Sequence, residues 1–285
     1  AMQASQAAAR SAAQLQLNAL PNLVPNGLAG LKIGTGVTRP DGSLDAALWK
    51  GANLPTELTD GDRIKVEGSS PSALLFGVNW YLKYVAHVQI SPNGDRLGIA
   101  DTFPLPAATM ARETPYAFRY ALNENVDGYT SPYWDWPRWE REIDVLALSG
   151  VNAMIVERGM DTVLYRTFRD VGYSDEEIRA WITQPAHQNW QWMGNLCCFN
   201  GPISSALMQK RAESAQKIVA RLRELGITPV FPGFYGVVPA DFQKKFPAAH
   251  VVPQGEWAGF TRPGWLDPRD PMFAKIAALF YRHQR

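Results

Sequence analysis

Six of the ten tryptophans in this 285-residue chain fall in one stretch, interleaved with carboxylates and amides. Trp134, Trp136 and Trp139 open it in Tyr-Trp-Asp-Trp-Pro-Arg-Trp-Glu-Arg-Glu (133–142). Trp181, Trp190 and Trp192 close it, the last two in Asn-Trp-Gln-Trp-Met-Gly-Asn-Leu (189–196). A tryptophan offers a large apolar face and one N–H donor. Sugars present apolar C–H faces and a rim of hydroxyls, so aromatic faces beside Asp, Glu, Asn and Gln suit a carbohydrate site. Any one of these rings taken alone reads as core, because large aromatics dominate cores. The grouping favours the carbohydrate reading for the set.

Acid–base work would fall to the carboxylates. Glu140, Glu142 and Asp144 share one predicted helix and read as a solvated, ion-paired face. Asp135, at the helix start, reads as a cap. Glu157 ends a predicted barrel strand, a position that favours function by location. Glu256 beside Trp257 is a weaker case of the same kind, and neither is read as catalytic. Four scattered histidines and two cysteines show no metal-ligand spacing. Cys197 and Cys198 are adjacent, and since neighbouring cysteines seldom pair, no disulfide framework is expected.

The elements that must position these residues follow from pattern. An Ala-rich helix is expected over Gln3–Leu20, then a short strand over Leu31–Gly36. Gly34-x-Gly36 is too sparse for a dinucleotide loop. Asp62–Gly68 alternates as a half-buried strand. Ser70-Pro71 starts a helix that runs to Leu82, Val85–Ile90 reads as a strand, and Pro92–Asp95 as a turn. This small α/β module ends in the Pro-rich link Phe103–Pro106.

From Tyr116 strands and helices alternate. Strands are expected over Ala117–Ala121, Val151–Val156 and Thr228–Phe234, the second with the apolar run of a buried parallel strand. Helices are expected over Pro137–Ser149, ended by Gly150, near Asp161–Asp170, over Ser174–Thr183 with capping-box residues, over Ser204–Leu225, and from Asp270-Pro271 to the end. The fold class expected is α/β, with a small N-terminal α/β domain (1–112) followed by the first part of a (β/α)8 TIM-type barrel (113–285). About three barrel strands are present where roughly eight close a barrel, so the chain reads as one cut off partway round it. Chemistry in such a barrel sits where strands run into the following loops, here Asn123–Tyr133, Glu157–Asp161 and Gly233–Pro239.

Composition narrows the classes. The formal net charge is +1, and without a basic patch nucleic acid is not the expected partner. No apolar run approaches a membrane span. The N-terminal stretch lacks the pattern of a signal peptide, and no Asn-x-Ser/Thr sequon occurs. A bacterial periplasmic or secreted protein with its leader already removed is expected.

These residues resemble the α-N-acetylglucosaminidases of glycoside hydrolase family 89. Tyr-Trp-Asp-Trp-x-x-Trp-Glu-x-Glu-Ile-Asp (133–144) looks like the family's helix-opening motif, and Leu-Ser-Gly-Val-Asn (148–152) its following turn and strand. Trp190-x-x-Met193-Gly194-Asn195-Leu196 and Asn200-Gly201-Pro202 match its aromatic loop. Gly226 to Pro232, with Val238-Pro239, matches its third barrel strand and the loop beyond. The resemblance is strong over about 116–285 and weaker before it.

The resemblance implies a retaining hydrolase of terminal α-linked N-acetylglucosamine on glycans, working through two glutamates and needing neither metal nor organic cofactor. In such an enzyme one carboxylic acid protonates the leaving oxygen while the other carboxylate attacks, the pair being about 5 Å apart. The family's acid/base lies in a Phe-Asn-Glu motif. That motif is absent here, where Phe199-Asn200 precedes Gly201, so both catalytic glutamates are expected beyond Arg285 and this segment alone is expected to be inactive. What it is expected to supply is a sugar-binding wall. Asn123, Trp190, Met193 and Trp257 match substrate contacts, and Tyr129 offers a pocket hydroxyl. Asn123 also reads as a turn residue and Met193 as core packing. The chain departs from the family at Asn125, commonly cysteine, and at Gly159-Met160-Asp161, commonly Gly-Gln-Glu. Two rival readings stay open, a non-catalytic carbohydrate-binding protein and another barrel hexosaminidase that uses its substrate's acetamido group.

Overall fold

The structure, a computed structural model, describes residues 32–33, 46–50, 64–98, 104, 106–108, 110–199 and 201–285. The Ala-rich segment and the Gly34-x-Gly36 pair lie outside the described residues. Two compact units emerge. One holds the described residues up to Ala121 with Pro137–Met154 and Ile218–Pro229; the other holds Leu122–Trp136, Ile155–Lys217 and Val230–Arg285.

In the first unit, β1 (Lys32–Ile33), β2 (Ala46–Lys50), β3 (Ile64–Gly68) and β4 (Met110–Arg112) form a sheet in the order β1-β3-β2-β4. β1 runs parallel to β3, and β2 is antiparallel to both β3 and β4. The expected helix is α1 (Pro71–Tyr84), capped by Ser70, whose Oγ accepts from the Ala73 amide at 3.1 Å. It buries Leu74, Leu75, Val78, Tyr81 and Leu82. A Cβ on Gly68 would lie 2.4 Å from the Leu74 nitrogen, so only glycine lets β3 pass this close to the helix.

The strand expected over Val85–Ile90 does not form; Gln89 makes one isolated bridge to Arg96 around the turn. The reason is local. The amides of Val85 and Ala86 donate to the Tyr81 carbonyl and that of Val88 to Leu82, so the end of α1 consumes the donors a ladder would need.

The three expected barrel strands are present and shorter than their apolar runs. They are β5 (Tyr120–Ala121), β6 (Ala153–Ile155) and β7 (Thr228–Val230), in the order β5-β6-β7 with β5 parallel to β6. The Asn152 side chain shortens β5: it accepts from the Arg119 amide and donates to the Ala117 carbonyl, both at 2.8 Å, in place of ladder bonds. The helices between them are α2 (Val126–Tyr129), α3 (Trp136–Leu148), α4 (Met160–Val171), α5 (Asp175–Trp181), α6 (Pro185–Trp192) and α7 (Ser205–Glu224).

On α3 the expected ion-paired face holds for Glu142, bonded to Arg138 at 3.2 Å. Asp144 is a correction: it is 5 % exposed, not solvated. Its carboxylate receives Nε and Nη2 of Arg221, on α7, at 3.0 and 2.7 Å. Burial pushes Asp144 up to about 6, with Arg221 opposing. Burial alone would lower the Arg221 guanidinium, but Asp144 and Glu224 outweigh it and hold it above its ordinary value. The sequence pattern marked the position as charged and could not show that α7 would bring a partner to it.

In the second unit, Ser174 and Glu177 complete the capping box of α5. Phe168, Trp181, Phe242, Ile276 and Phe280 lie in its core. The chain continues through β8 (Val237–Val238), α8 (Phe242–Lys245), β9 (Val251–Val252), β10 (Glu256–Trp257), β11 (Phe260–Thr261), β12 (Gly264–Leu266) and α9 (Pro271–Gln284). β8, β12 and β9 form an antiparallel sheet with β12 central, and β10 and β11 a separate hairpin. Among the described residues no helix is long and apolar enough to cross a membrane, and no group of three His, Cys, Asp or Glu could hold a metal ion.

Candidate functional site

The candidate wall lies within the second unit and starts from α6. Pro185 occupies its first turn, so Trp190, which the resemblance placed in an aromatic loop, stands on a helix. Gln188, Asn189, Gln191 and Trp192 of this helix are buried, and Trp190 is half-buried. Gln191 anchors the inner side: its Nε2 donates to the Trp181 carbonyl at 2.7 Å, and its Oε1 accepts from the Thr183 amide at 3.0 Å. Of the six grouped tryptophans, Trp139, Trp181 and Trp192 are core, each 4 % exposed. Trp134, Trp136 and Trp190 are half-buried.

Trp190 stacks on Trp257, ring centroids 5.3 Å apart and planes 20° from parallel. Tyr129, at the end of α2, meets Trp190 edge-on at 5.5 Å and 90°. Both arrangements are favoured aromatic geometries. Trp257 reaches this position on the β10–β11 hairpin, whose two-residue turn has Ala258 at φ 51° and Gly259 at φ 81°. The hairpin is tied back by the Cys197 amide donating to Thr261 at 3.1 Å and by Arg262 Nε donating to Gly194 at 2.7 Å. Gly194 itself has φ 74°, and a Cβ there would lie 2.7 Å from the Trp265 ring. Cys197 and Cys198, expected to stay unpaired, form a disulfide with each other. Joining neighbours closes no chain loop, so the bond provides no framework.

Tyr129, Trp190 and Trp257 are thus in ring contact. Asn123 and Met193 join them through the chain. Asn123 is exposed on the segment entering α2, and its Oδ1 accepts from the Asn125 amide at 3.0 Å, as a turn residue would. Met193 is half-buried and caps α6, its amide donating to Asn189 at 2.9 Å. Tyr129 is 69 % exposed and Trp257 39 %, leaving aromatic surface open to a ligand.

A buried polar network holds these segments, and most of it had no signal in the sequence. Arg211, 1 % exposed in the middle of α7, donates to Asp127 at 2.7 Å, Asp161 at 2.8 Å, Gln188 at 2.9 Å and the Pro132 carbonyl at 3.2 Å. Burial alone would lower its guanidinium, and Asp127 and Asp161 raise it above its ordinary value. Arg158 donates to the carbonyls of Ser131 at 2.9 Å and Trp134 at 3.0 Å, fixing the Asn123–Tyr133 loop. Glu157, expected to end its strand, lies two residues past the end of β6 (Ala153–Ile155) and is 5 % exposed. It accepts from Asn189 Nδ2, which also donates to the Glu124 carbonyl.

The family model "Alpha-N-acetylglucosaminidase (NAGLU) tim-barrel domain" matches residues 119–285, and "Alpha-N-acetylglucosaminidase (NAGLU) N-terminal domain" matches 53–107. The Homo sapiens α-N-acetylglucosaminidase is 32% identical over 247 residues, 84% of this chain and 33% of that protein. A family 89 glycoside hydrolase from Clostridium perfringens, solved with 2-acetamido-1,2-dideoxynojirmycin, superposes with TM-score 0.89 at 30% identity, covering 98% of this chain and 31% of that one. A second structure of a Clostridium perfringens family 89 enzyme, solved with its substrate GlcNAc-alpha-1,4-galactose, superposes at 0.88 and 30% identity with the same coverage. The chain spans about a third of the length of the relatives it matches. Its fold is α/β, and β5, β6 and β7 belong to part of a TIM barrel.

Proposed function

This chain belongs to the α-N-acetylglucosaminidase family, glycoside hydrolase family 89, and we propose that the protein it comes from removes terminal α-linked N-acetylglucosamine from glycans with retention. In this reading Tyr129, Trp190 and Trp257 form the wall against which the sugar lies, with Asn123 and Met193 at its margins. The division near residue 112 into an N-terminal domain and a barrel portion belongs to the same reading, as does a periplasmic or secreted location.

The observation that carries it is the Trp190–Trp257 stack, with Tyr129 edge-on to it. Three rings from three separate segments converge, and two of them keep much of their surface exposed. A rigid, partly open aromatic surface is what the C–H face of a pyranose packs against, while nearby amides and hydroxyls serve its hydroxyl rim. The retaining mechanism asks for two facing carboxyl groups about 5 Å apart. Glu157 fills neither role in this reading: the family resemblance places its two glutamates elsewhere, the acid/base in a Phe-Asn-Glu motif, and Glu157 follows Ile155-Val156 and is bonded to Asn189.

The test is hydrolysis of an aryl α-N-acetylglucosaminide by the full-length protein, with the anomer of the first-formed sugar read by NMR. Release of α-N-acetylglucosamine first supports the proposal. No turnover, with N-acetylglucosamine still bound, would favour a carbohydrate-binding protein instead.

A further inference from the structure

Three segments of the second unit meet at one side chain. Asn189 is fully buried on α6, one residue before Trp190. Its Nδ2 donates to the Glu124 carbonyl, in the segment carrying Asn123, and to Glu157 Oε2, at the exit of β6. A single amide therefore links the Asn123 loop, the barrel strand end and the helix of the aromatic wall.

The chemistry around Glu157 favours a neutral acid. Glu124 and Asp127 face it from the segment entering α2 and from α2 itself, Asn189 from α6, and Arg211 from α7. Arg211 is already bonded to two carboxylates, Asp127 at 2.7 Å and Asp161 at 2.8 Å. One amide donor does not offset burying an ionised carboxylate. Burial first, then Asp127 and Glu124, push Glu157 up to about 9. A second observation agrees: Asn189 Oδ1 is buried without a hydrogen-bond partner. A protonated Glu157 brings a hydroxyl donor to this buried acceptor's neighbourhood, which a carboxylate cannot do.

We propose that Glu157 is a positioning residue that works as a neutral carboxylic acid: held to Asn189, it keeps the Asn123 loop and Trp190 in register, and the sugar-binding wall loosens when its proton leaves. The proposal rests on the reading of Tyr129, Trp190 and Trp257 as a sugar wall. Glu157 acts through Asn189 and does not touch the substrate.

The experiment measures the inhibition constant of N-acetylglucosamine against the full-length enzyme from pH 6 to 10, alongside near-ultraviolet circular dichroism of the tryptophans. In the wild type, binding should weaken roughly tenfold across a midpoint near 9, with the tryptophan signal changing over the same range. E157Q keeps a neutral group of the same shape, so it should bind as the wild type does at pH 7 and show neither change. An alkaline loss that persists in E157Q overturns the proposal. So does an E157Q protein that fails to fold or loses binding at pH 7, since a neutral isostere must preserve the clasp. Failure of the wall reading has a different signature: W190A and W257A would leave the inhibition constant unchanged while the tryptophan signal still followed Glu157.

Discussion

Trp190 and Trp257 stack at 5.3 Å and 20° although one stands on a helix and the other on a hairpin. Their unequal exposure separates two roles. Trp257 is 39 % exposed on a short hairpin, and Trp190 is half-buried. In the full-length protein, the proposed wall predicts that W257A raises KM for an aryl α-N-acetylglucosaminide about tenfold, ~1.4 kcal/mol of binding, and shifts Tm by less than ~2 °C. W190A should raise KM at least as far and lower Tm as well. Equal KM values for W257A and wild type would remove Trp257 from the site.

Arg211 is the structural centre of the loops beneath the site. Replacing it with methionine leaves Asp161 buried without its cation and Asp127 with only the longer pair to Arg158 at 3.7 Å, and removing one partner of a buried pair costs ~3–5 kcal/mol in comparable cases. R211K should recover little, because a point ammonium cannot reproduce the guanidinium fork that reaches four acceptors. Urea unfolding of both variants measures this; an R211K midpoint equal to wild type would show that charge alone suffices.

The protein's stability should carry the imprint of Glu157. Unfolded, the group ionises near its ordinary 4.5; folded, near 9. Between these values the unfolded chain releases a proton that the folded chain keeps, so this group's contribution is whole below about 4.5 and falls as pH rises toward 9. E157Q should therefore match wild type at pH 4 and exceed its Tm at pH 8 by roughly 4 °C or more. Parallel Tm curves for the two proteins would contradict this.

The capping box of α5 offers a local control. Ser174 Oγ accepts from the Glu177 amide at 3.1 Å, and the Glu177 carboxylate accepts from the Ser174 amide at 2.6 Å. S174A should cost ~1 kcal/mol in urea unfolding and leave KM untouched, since α5 contributes no residue to the wall.

What the sequence alone determined was local. Ser70-Pro71, Ser174 with Glu177 and Asp270-Pro271 each start a helix where the chain says they should, because a cap is satisfied within four residues. The apolar runs located β5, β6 and β7, and the tryptophan clusters with their motifs pointed to the family. Tertiary structure decided the rest. Helix α6 was hidden because its buried face is largely amide, Gln188, Asn189 and Gln191, whose burial is stable only with partners at Asp161, Glu157 and Trp181. The strands β8, β9 and β12 are two or three residues long and depend on pairing with distant segments. Asp144 reads as a surface charge until Arg221 is brought beside it. A buried polar group is tolerated only when its partner is present, and these partners lie far apart along the chain, so folding alone determines which charges and amides end up inside.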